Sequence, residues 1–212
     1  MKTTTFPEIN PKSDDEVASS VLLDNQILLI DNILSPAECK AFVKHIDALP
    51  LELTPPKKKG EAERHNFRIS ISSKEFAQKL FAILAPHLPL FAPTKGSKGP
   101  PRAAHSCNSN IRLYKYTSSQ YFGPHYDDDC RDALTGAKSE WTLLIYLTGC
   151  EDGVQGGETL FYHNSKSRDP VKAPLTRGTA LLHRHGRECL LHEGSPVLKG
   201  VKYVLRSDIM FL

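Results

Sequence analysis

Gly123-Pro124-His125-Tyr126-Asp127-Asp128-Asp129 is the stretch on which the architecture of this chain turns. Along an extended strand successive side chains alternate between faces, so His125 and Asp127 share one face while Tyr126 points away. An imidazole and a carboxylate on one face form a chelating pair for a metal ion that needs a third donor from elsewhere in the chain. In a chain with 9 histidines such a tripeptide arises easily by chance, so its surroundings decide whether the reading stands.

From residue 110 onward those surroundings are strands. Runs rich in β-branched, aromatic and aliphatic residues occupy 111–116, 121–126, 141–148, 158–161, 179–183, 189–192 and 202–211. Turn signals separate them at Thr117-Ser118-Ser119, Gly136, 149–157, Gly178, Gly194 and Gly200. Upstream, the short aliphatic run 26–31 suits a buried strand. Ser35-Pro36-Ala37-Glu38 offers a capping box with proline at the first helical position, and Phe42, Val43, Ile46 and Leu49 give the helix an apolar face that ends near Pro50. Ser72 with Glu75 caps a second helix through Phe76, Leu80, Phe81 and Leu84 to Pro86. Loops rich in proline and lysine span 54–60 and 92–102. Helices followed by closely spaced strands predict an α+β chain whose second half is an antiparallel sandwich or barrel with the helices bracing one sheet. Residues 1–20, polar and containing Pro7 and Pro11, are expected to be a flexible leader to a single domain over 21–212, with its strand-rich core at about 110–212.

Composition excludes several classes. The formal net charge is +3, and the basic residues are scattered apart from Lys57-Lys58-Lys59, which leaves no electrostatic footprint for nucleic acid. The 5 cysteines are widely spaced and contain no C-x-x-C pair, so neither a disulfide framework nor a structural zinc site is expected, and a reducing compartment fits best. No apolar segment at the N-terminus follows a basic start, and the longest aliphatic run, 27–30, is far too short for a bilayer. A soluble protein of the cytoplasm or nucleus, with no membrane partner, is the expectation.

Further features follow the first pair in order. A small-residue turn, Gly156-Gly157-Glu158-Thr159, precedes a strand, and His192-Glu193-Gly194 is followed by Pro196, Val197, Gly200, Lys202 and Tyr203. With these residues, 110–211 resembles the Fe(II)/2-oxoglutarate-dependent dioxygenases, specifically their prolyl 4-hydroxylase-like branch. The resemblance implies a double-stranded β-helix, or jelly roll. It places His125, Asp127 and His192 on the three Fe(II)-ligand positions. It also places Lys202, ten residues beyond His192, where an ammonium pairs with the distal carboxylate of 2-oxoglutarate, with Tyr116 and Thr142 completing that pocket. A dicarboxylate enclosed in a barrel needs such a cation and hydroxyl donors. Arg206, four residues further along the strand and on the same face, competes with Lys202 for the role. His183 and His185 rival His192, but they read as part of a turn between two strands.

The activity implied by the resemblance is hydroxylation with release of succinate and carbon dioxide, supported by ascorbate. Its substrate is expected to be a protein or peptide, with a small molecule on the same fold as the alternative. Loops 54–68 and 93–110 could wall a peptide groove. A nucleic-acid demethylase would carry arginines soon after the distal histidine, where this chain has Leu198, and a non-catalytic module would not need Lys202, Tyr116 and Thr142.

Overall fold

Residues Lys202–Phe211 are buried without interruption, which requires packing partners on both faces of that strand. A computed structural model of the chain describes residues 5–94, 96, 98–132, 135–163 and 169–212 and supplies them. Strands β1 (Ala18–Leu23) and β2 (Ile27–Asp31) form a hairpin leading to helix α1 (Pro36–Asp47). Next come β3 (Glu52–Leu53), β4 (Arg64–His65), β5 (Phe67–Ser72) and helix α2 (Lys74–Leu84). The remaining strands are β6 (Ser106–Cys107), β7 (Asn110–Tyr116), β8 (Tyr121–His125), β9 (Lys138–Tyr146), β10 (Gln155–Gly156), β11 (Thr159–Tyr162), β12 (Val171–Lys172), β13 (Ala180–Arg184), β14 (Leu191–Gly194), β15 (Val197–Lys199) and β16 (Lys202–Phe211). The larger sheet runs β1-β2-β13-β9-β16-β7-β5-β3, with β6 also paired to β16, and the smaller runs β12-β11-β14-β8-β4. Their pairings are antiparallel, giving the expected α+β jelly-roll class.

Alternation along the strands of the larger sheet divides the interior in two. Tyr203, Leu205, Ile209 and Phe211 of β16 join Ile111, Leu113, Leu143, Ile145 and Leu182 in a core with Phe42 and Ile46 of α1 and Phe76, Leu80 and Leu84 of α2. The opposite face, with Val204, Tyr114, Tyr116, Tyr146 and Leu181, packs on Phe161 and Val197. One face is therefore braced by helices, and the other looks toward the smaller sheet.

Helix α1 starts where its capping box predicts: the Glu38 amide donates to Ser35 Oγ and the Ser35 amide to the Glu38 carboxylate. Helix α2 is capped by Ser73 rather than Ser72, because Ser72 is still engaged as the last residue of β5. Residues 5–20 depart from the expected flexible leader. Phe6 stacks on Phe76 at 4.2 Å between ring centroids, Ile9 is buried in the helix-side core, and β1 already begins at Ala18. Asn10 and Lys12 add hydrogen bonds to Glu38, so polar residues also tie this segment down. Among the described residues no helix is long and apolar enough to cross a membrane.

Candidate metal centre

Strand pairing is what brings the distant histidines together. In the β8–β14 ladder His192 lies directly opposite His125, so residues far apart in sequence become a cross-strand pair with ring centroids 4.2 Å apart. Asp127 lies two residues beyond the end of β8. Its amide donates to Cys189 Sγ at 3.2 Å, and its carbonyl accepts from the Gly186 amide at 2.8 Å, so contacts with the segment before β14 fix it there. The alternation expected for His125-Tyr126-Asp127 survives: Tyr126 is 58% exposed and Asp127 7%.

Donor atoms of His125, Asp127 and His192 all lie within 4.8 Å of one another. His125 Nε2 is 3.6 Å from Asp127 Oδ1, and His192 Nε2 is 3.7 Å from Asp127 Oδ2. These separations are too long for good hydrogen bonds and leave room for an ion with metal–nitrogen bonds of about 2.1 Å. In both rings Nδ1 is 2.9 Å from a main-chain carbonyl, of Gly123 and of Leu190, which can only accept a proton. Each ring thus donates its Nδ1 proton to a carbonyl and turns Nε2 toward the carboxylate, the orientation a metal-binding imidazole requires. The donor set fits a divalent transition ion.

The surrounding electrostatics centre on Asp127. Burial alone would raise its pKa, but Arg206, at 3.0 Å from Oδ1, and His192 hold it well below the usual carboxylate range. Burial disfavours charge on His192 as well, yet the adjacent carboxylate raises its pKa to about 9. His125 is pushed down to about 3 by burial and by the charge on His192. One carboxylate therefore supports one proton between the two rings, at the place a cation would neutralise.

Lys202 lies deeper, on β16. It is fully enclosed, its Nζ donates to the Gly157 carbonyl at 2.5 Å, and it sits 5.4 Å from the Tyr116 ring and 5.5 Å from the Tyr146 ring. Among the described residues no carboxylate stands at ion-pair distance from it, and burial lowers its pKa to about 8. Gly157, at φ +76°, makes the close approach possible, since a Cβ there would meet Lys202 Cδ at 3.2 Å and Val197 Cγ2 at 3.0 Å. The cavity is lined by Lys202, Tyr116 and Leu144 from the larger sheet and His125, Thr159 and His192 from the smaller.

The two remaining pocket candidates, Thr142 and Arg206, both contact Asp127. Thr142 is on the cavity face of β9 but opposite Asp208, whereas Tyr146 is the β9 residue opposite Val204, near Lys202. The antiparallel register carries Thr142 away from Lys202, and its hydroxyl instead donates to Asp127 Oδ2 at 2.8 Å and meets His185 Nδ1 at 2.9 Å. Arg206 lines the cavity but is engaged with Asp127. Tyr146, whose hydroxyl is 2.7 Å from Thr159 Oγ1, is the hydroxyl pair that sequence reasoning missed; four residues beyond Thr142 on one strand face, it was discoverable by alternation. The turn expected around His183 and His185 begins later, since β13 runs through Arg184 and the turn follows at Gly186–Glu188. Both are buried, His183 inside β13 and His185 against Ser139 and Thr142.

Residues 111–207 match the family described as the 2OG-Fe(II) oxygenase superfamily. That stretch is a 2OG-Fe(II) oxygenase match, and it carries His125, Asp127, His192 and Lys202. Its Fe(II) and 2-oxoglutarate are the metal and co-substrate implied for this superfamily enzyme. No curated protein matches the chain in sequence. Among solved structures it resembles a viral collagen prolyl hydroxylase of Paramecium bursaria Chlorella virus-1 in complex with 2OG, at 23% identity and TM-score 0.56 over 91% of this chain and 100% of that one. A Trichoplax adhaerens prolyl hydroxylase, solved with a hypoxia-inducible-factor peptide fragment, aligns at 17% identity and TM-score 0.58 over 88% and 84% of the two chains. A Pseudomonas putida prolyl-4-hydroxylase aligns at 13% identity and TM-score 0.57 over 87% and 91%. At these identities the superfamily likeness is one of fold.

Proposed function

We propose that this oxygenase hydroxylates a prolyl residue of a protein or peptide, with His125, Asp127 and His192 holding Fe(II) and Lys202 receiving the distal carboxylate of 2-oxoglutarate. When bound, the metal and co-substrate supply the oxidising chemistry: one oxygen atom of O2 leaves in succinate with release of carbon dioxide, and the other enters a C–H bond of the substrate. The protein's own residues position and shield. Arg206 and Thr142 clamp the two oxygens of Asp127, the Gly123 and Leu190 carbonyls set the imidazole tautomers, and the enclosure of Lys202 makes its charge available to an anion without competition from water.

The groove leading to Asp127 carries the substrate reading. It has a volume of about 1250 Å³, is walled by Pro50, Pro56, Lys58, Arg68 and Tyr126 among others, and reaches His125, Asp127 and Arg206. Small-ligand pockets run to about 300–1,000 Å³, so a channel of this size accommodates an extended polypeptide. The prolyl hydroxylases of the same fold support the same reading, and we extend it to ascorbate as the reductant that sustains turnover. A small-molecule substrate is the alternative.

The test is incubation with Fe(II), 2-oxoglutarate, ascorbate and proline-containing peptides, followed by mass spectrometry and succinate assay. Gain of one oxygen on proline, lost in His125→Ala and Asp127→Ala together with Fe(II) binding, is the expected result. Succinate release stimulated only by small molecules, with no peptide modified, would overturn the substrate assignment.

A further inference from the structure

Ser139 and Thr142 lie three residues apart on β9, a spacing that puts side chains on opposite faces of a regular strand. Here both reach one ring, that of His185: Thr142 Oγ1 is 2.9 Å from Nδ1 and Ser139 Oγ 2.9 Å from Nε2, and all three residues are buried. The pairing of β9 with β16 slips at Glu140, since Met210 lies opposite Ser139 while Ile209 lies opposite Trp141. An extra residue of this kind re-aims side chains. Its main-chain carbonyl also accepts from the His185 amide at 3.0 Å, so the irregularity fixes the backbone from which the ring projects.

Proton counting gives these contacts a direction. A carboxylate only accepts, so the single hydroxyl proton of Thr142 is committed to Asp127 Oδ2 at 2.8 Å. The threonine oxygen then offers lone pairs alone, and His185 Nδ1 carries the proton between them. Burial disfavours a charged ring, which leaves Nε2 to accept from Ser139 Oγ. Ser139 Oγ itself receives the Cys130 amide at 2.9 Å. The Cys130 sulfur, 3.4 Å from Ser139 Oγ, competes for the serine proton only as a weak acceptor. Every bond therefore points toward Asp127.

We propose that His185 is a positioning residue for the metal carboxylate: by occupying the acceptor side of Thr142, it commits the threonine proton to Asp127 and holds Oδ2 in the orientation in which the carboxylate meets the ion. This rests on the metal-centre assignment above and goes beyond its three ligands. Arg206 fixes Oδ1 directly, whereas Oδ2 depends on the series that runs from Cys130 through Ser139, His185 and Thr142.

The experiment titrates the full chain anaerobically with Co(II), reads affinity and the visible ligand-field spectrum, and compares two replacements of His185. Asparagine places an amide N–H where Nδ1 stood, whereas phenylalanine fills the volume without a donor. His185→Phe should weaken Co(II) binding by about tenfold and alter the spectrum, and His185→Asn should retain most of the affinity. In a Thr142→Val background His185→Phe should add nothing, because the ring acts only through that hydroxyl. Unchanged binding in His185→Phe, equal losses in the two variants, or losses that add to that of Thr142→Val would overturn the proposal and leave the three-residue site intact. Long-range proton–nitrogen NMR correlation on the unsubstituted chain, which no folding defect can obscure, should show the His185 proton on Nδ1. A proton on Nε2 alone would reverse the series and overturn the proposal too. Failure of the unsubstituted chain to bind Co(II), or binding that His125→Ala leaves unchanged, would instead remove the metal site on which the proposal rests.

Discussion

At the scale of single residues, the most consequential group is a lysine without a carboxylate. Burial lowers the Lys202 pKa to about 8, so its ammonium is present below that pH and progressively lost above it, whereas an exposed lysine would stay charged to its ordinary value of 10.5. If Lys202 receives 2-oxoglutarate, kcat/KM for the co-substrate should fall by about tenfold per pH unit above pH 8, since that ratio follows the free enzyme's ionisation. Lys202→Arg should move the break to higher pH, and Lys202→Ala should raise KM for 2-oxoglutarate and abolish the break. A pH profile unchanged in Lys202→Ala would hand the role to another cation. The offset of Lys202 from His192 is visible in sequence because both occupy late strands, β14 and β16, with only the short β15 between them. Thr142 shows where such reading stops: its partner depends on the register between β9 and β16, and the number of residues crossing a ladder cannot be counted from one strand alone.

For the elements, local chemistry decides how well each is anchored. Glu38 closes the α1 capping box and also accepts from Asn10 and Lys12, which hold the N-terminal segment. Burial opposes its charge, but the Lys12 ammonium and the Ser35 and Asn10 amides outweigh it and depress the pKa from 4.5 to about 2. A depressed folded pKa contributes stability that is complete above pH 4.5 and disappears as pH falls through about 2. Thermal melts of the wild type and Glu38→Gln should therefore differ most above pH 5 or so and converge toward pH 2; parallel curves would show the carboxylate to be idle. Ser35→Ala, which removes only the cap, should cost about 1 kcal/mol by denaturant titration. Helix α1 was legible because a capping box followed by an apolar stripe is a local signal. Strand β5 carried one too, with Phe67, Ile69 and Ile71 alternating against Arg68, Ser70 and Ser72, but it follows a proline- and lysine-rich stretch, and the expected loop 54–68 ran into its first two residues. That oversight also moved the α2 cap by one residue, since Ser72 belongs to the strand and Ser73 to the helix.

Across the whole molecule, the larger sheet separates two jobs. Its helix-side face is a conventional apolar core, while its other face gathers Lys202, Arg206, His183 and the Asp127 clamp, polar groups that strain rather than stabilise a fold unless paired. Stability should thus be drawn mainly from the helix side, and that includes a segment with almost no sequence signal. Only Phe6 and Ile9 stand out as apolar between residues 5 and 12 other than Pro7 and Pro11, too few for a periodic pattern, yet both are buried against α1 and α2. Truncating a buried phenylalanine to alanine costs about 3–5 kcal/mol in a closed core; with Phe6 near a chain end and stacked mainly on Phe76, about 2 kcal/mol is a fair expectation. For a chain of this size that corresponds to a fall in Tm of roughly 4–8 °C. The sheet stands between Phe6 and the cavity, so Fe(II) affinity and KM for 2-oxoglutarate should be unchanged in Phe6→Ala at a temperature where the variant is folded. A lowered Tm with intact ligand binding would confirm the division of labour between the two faces. An unchanged Tm would mean the segment is not docked in solution, and a loss of metal affinity would mean that the two faces are mechanically coupled through β16.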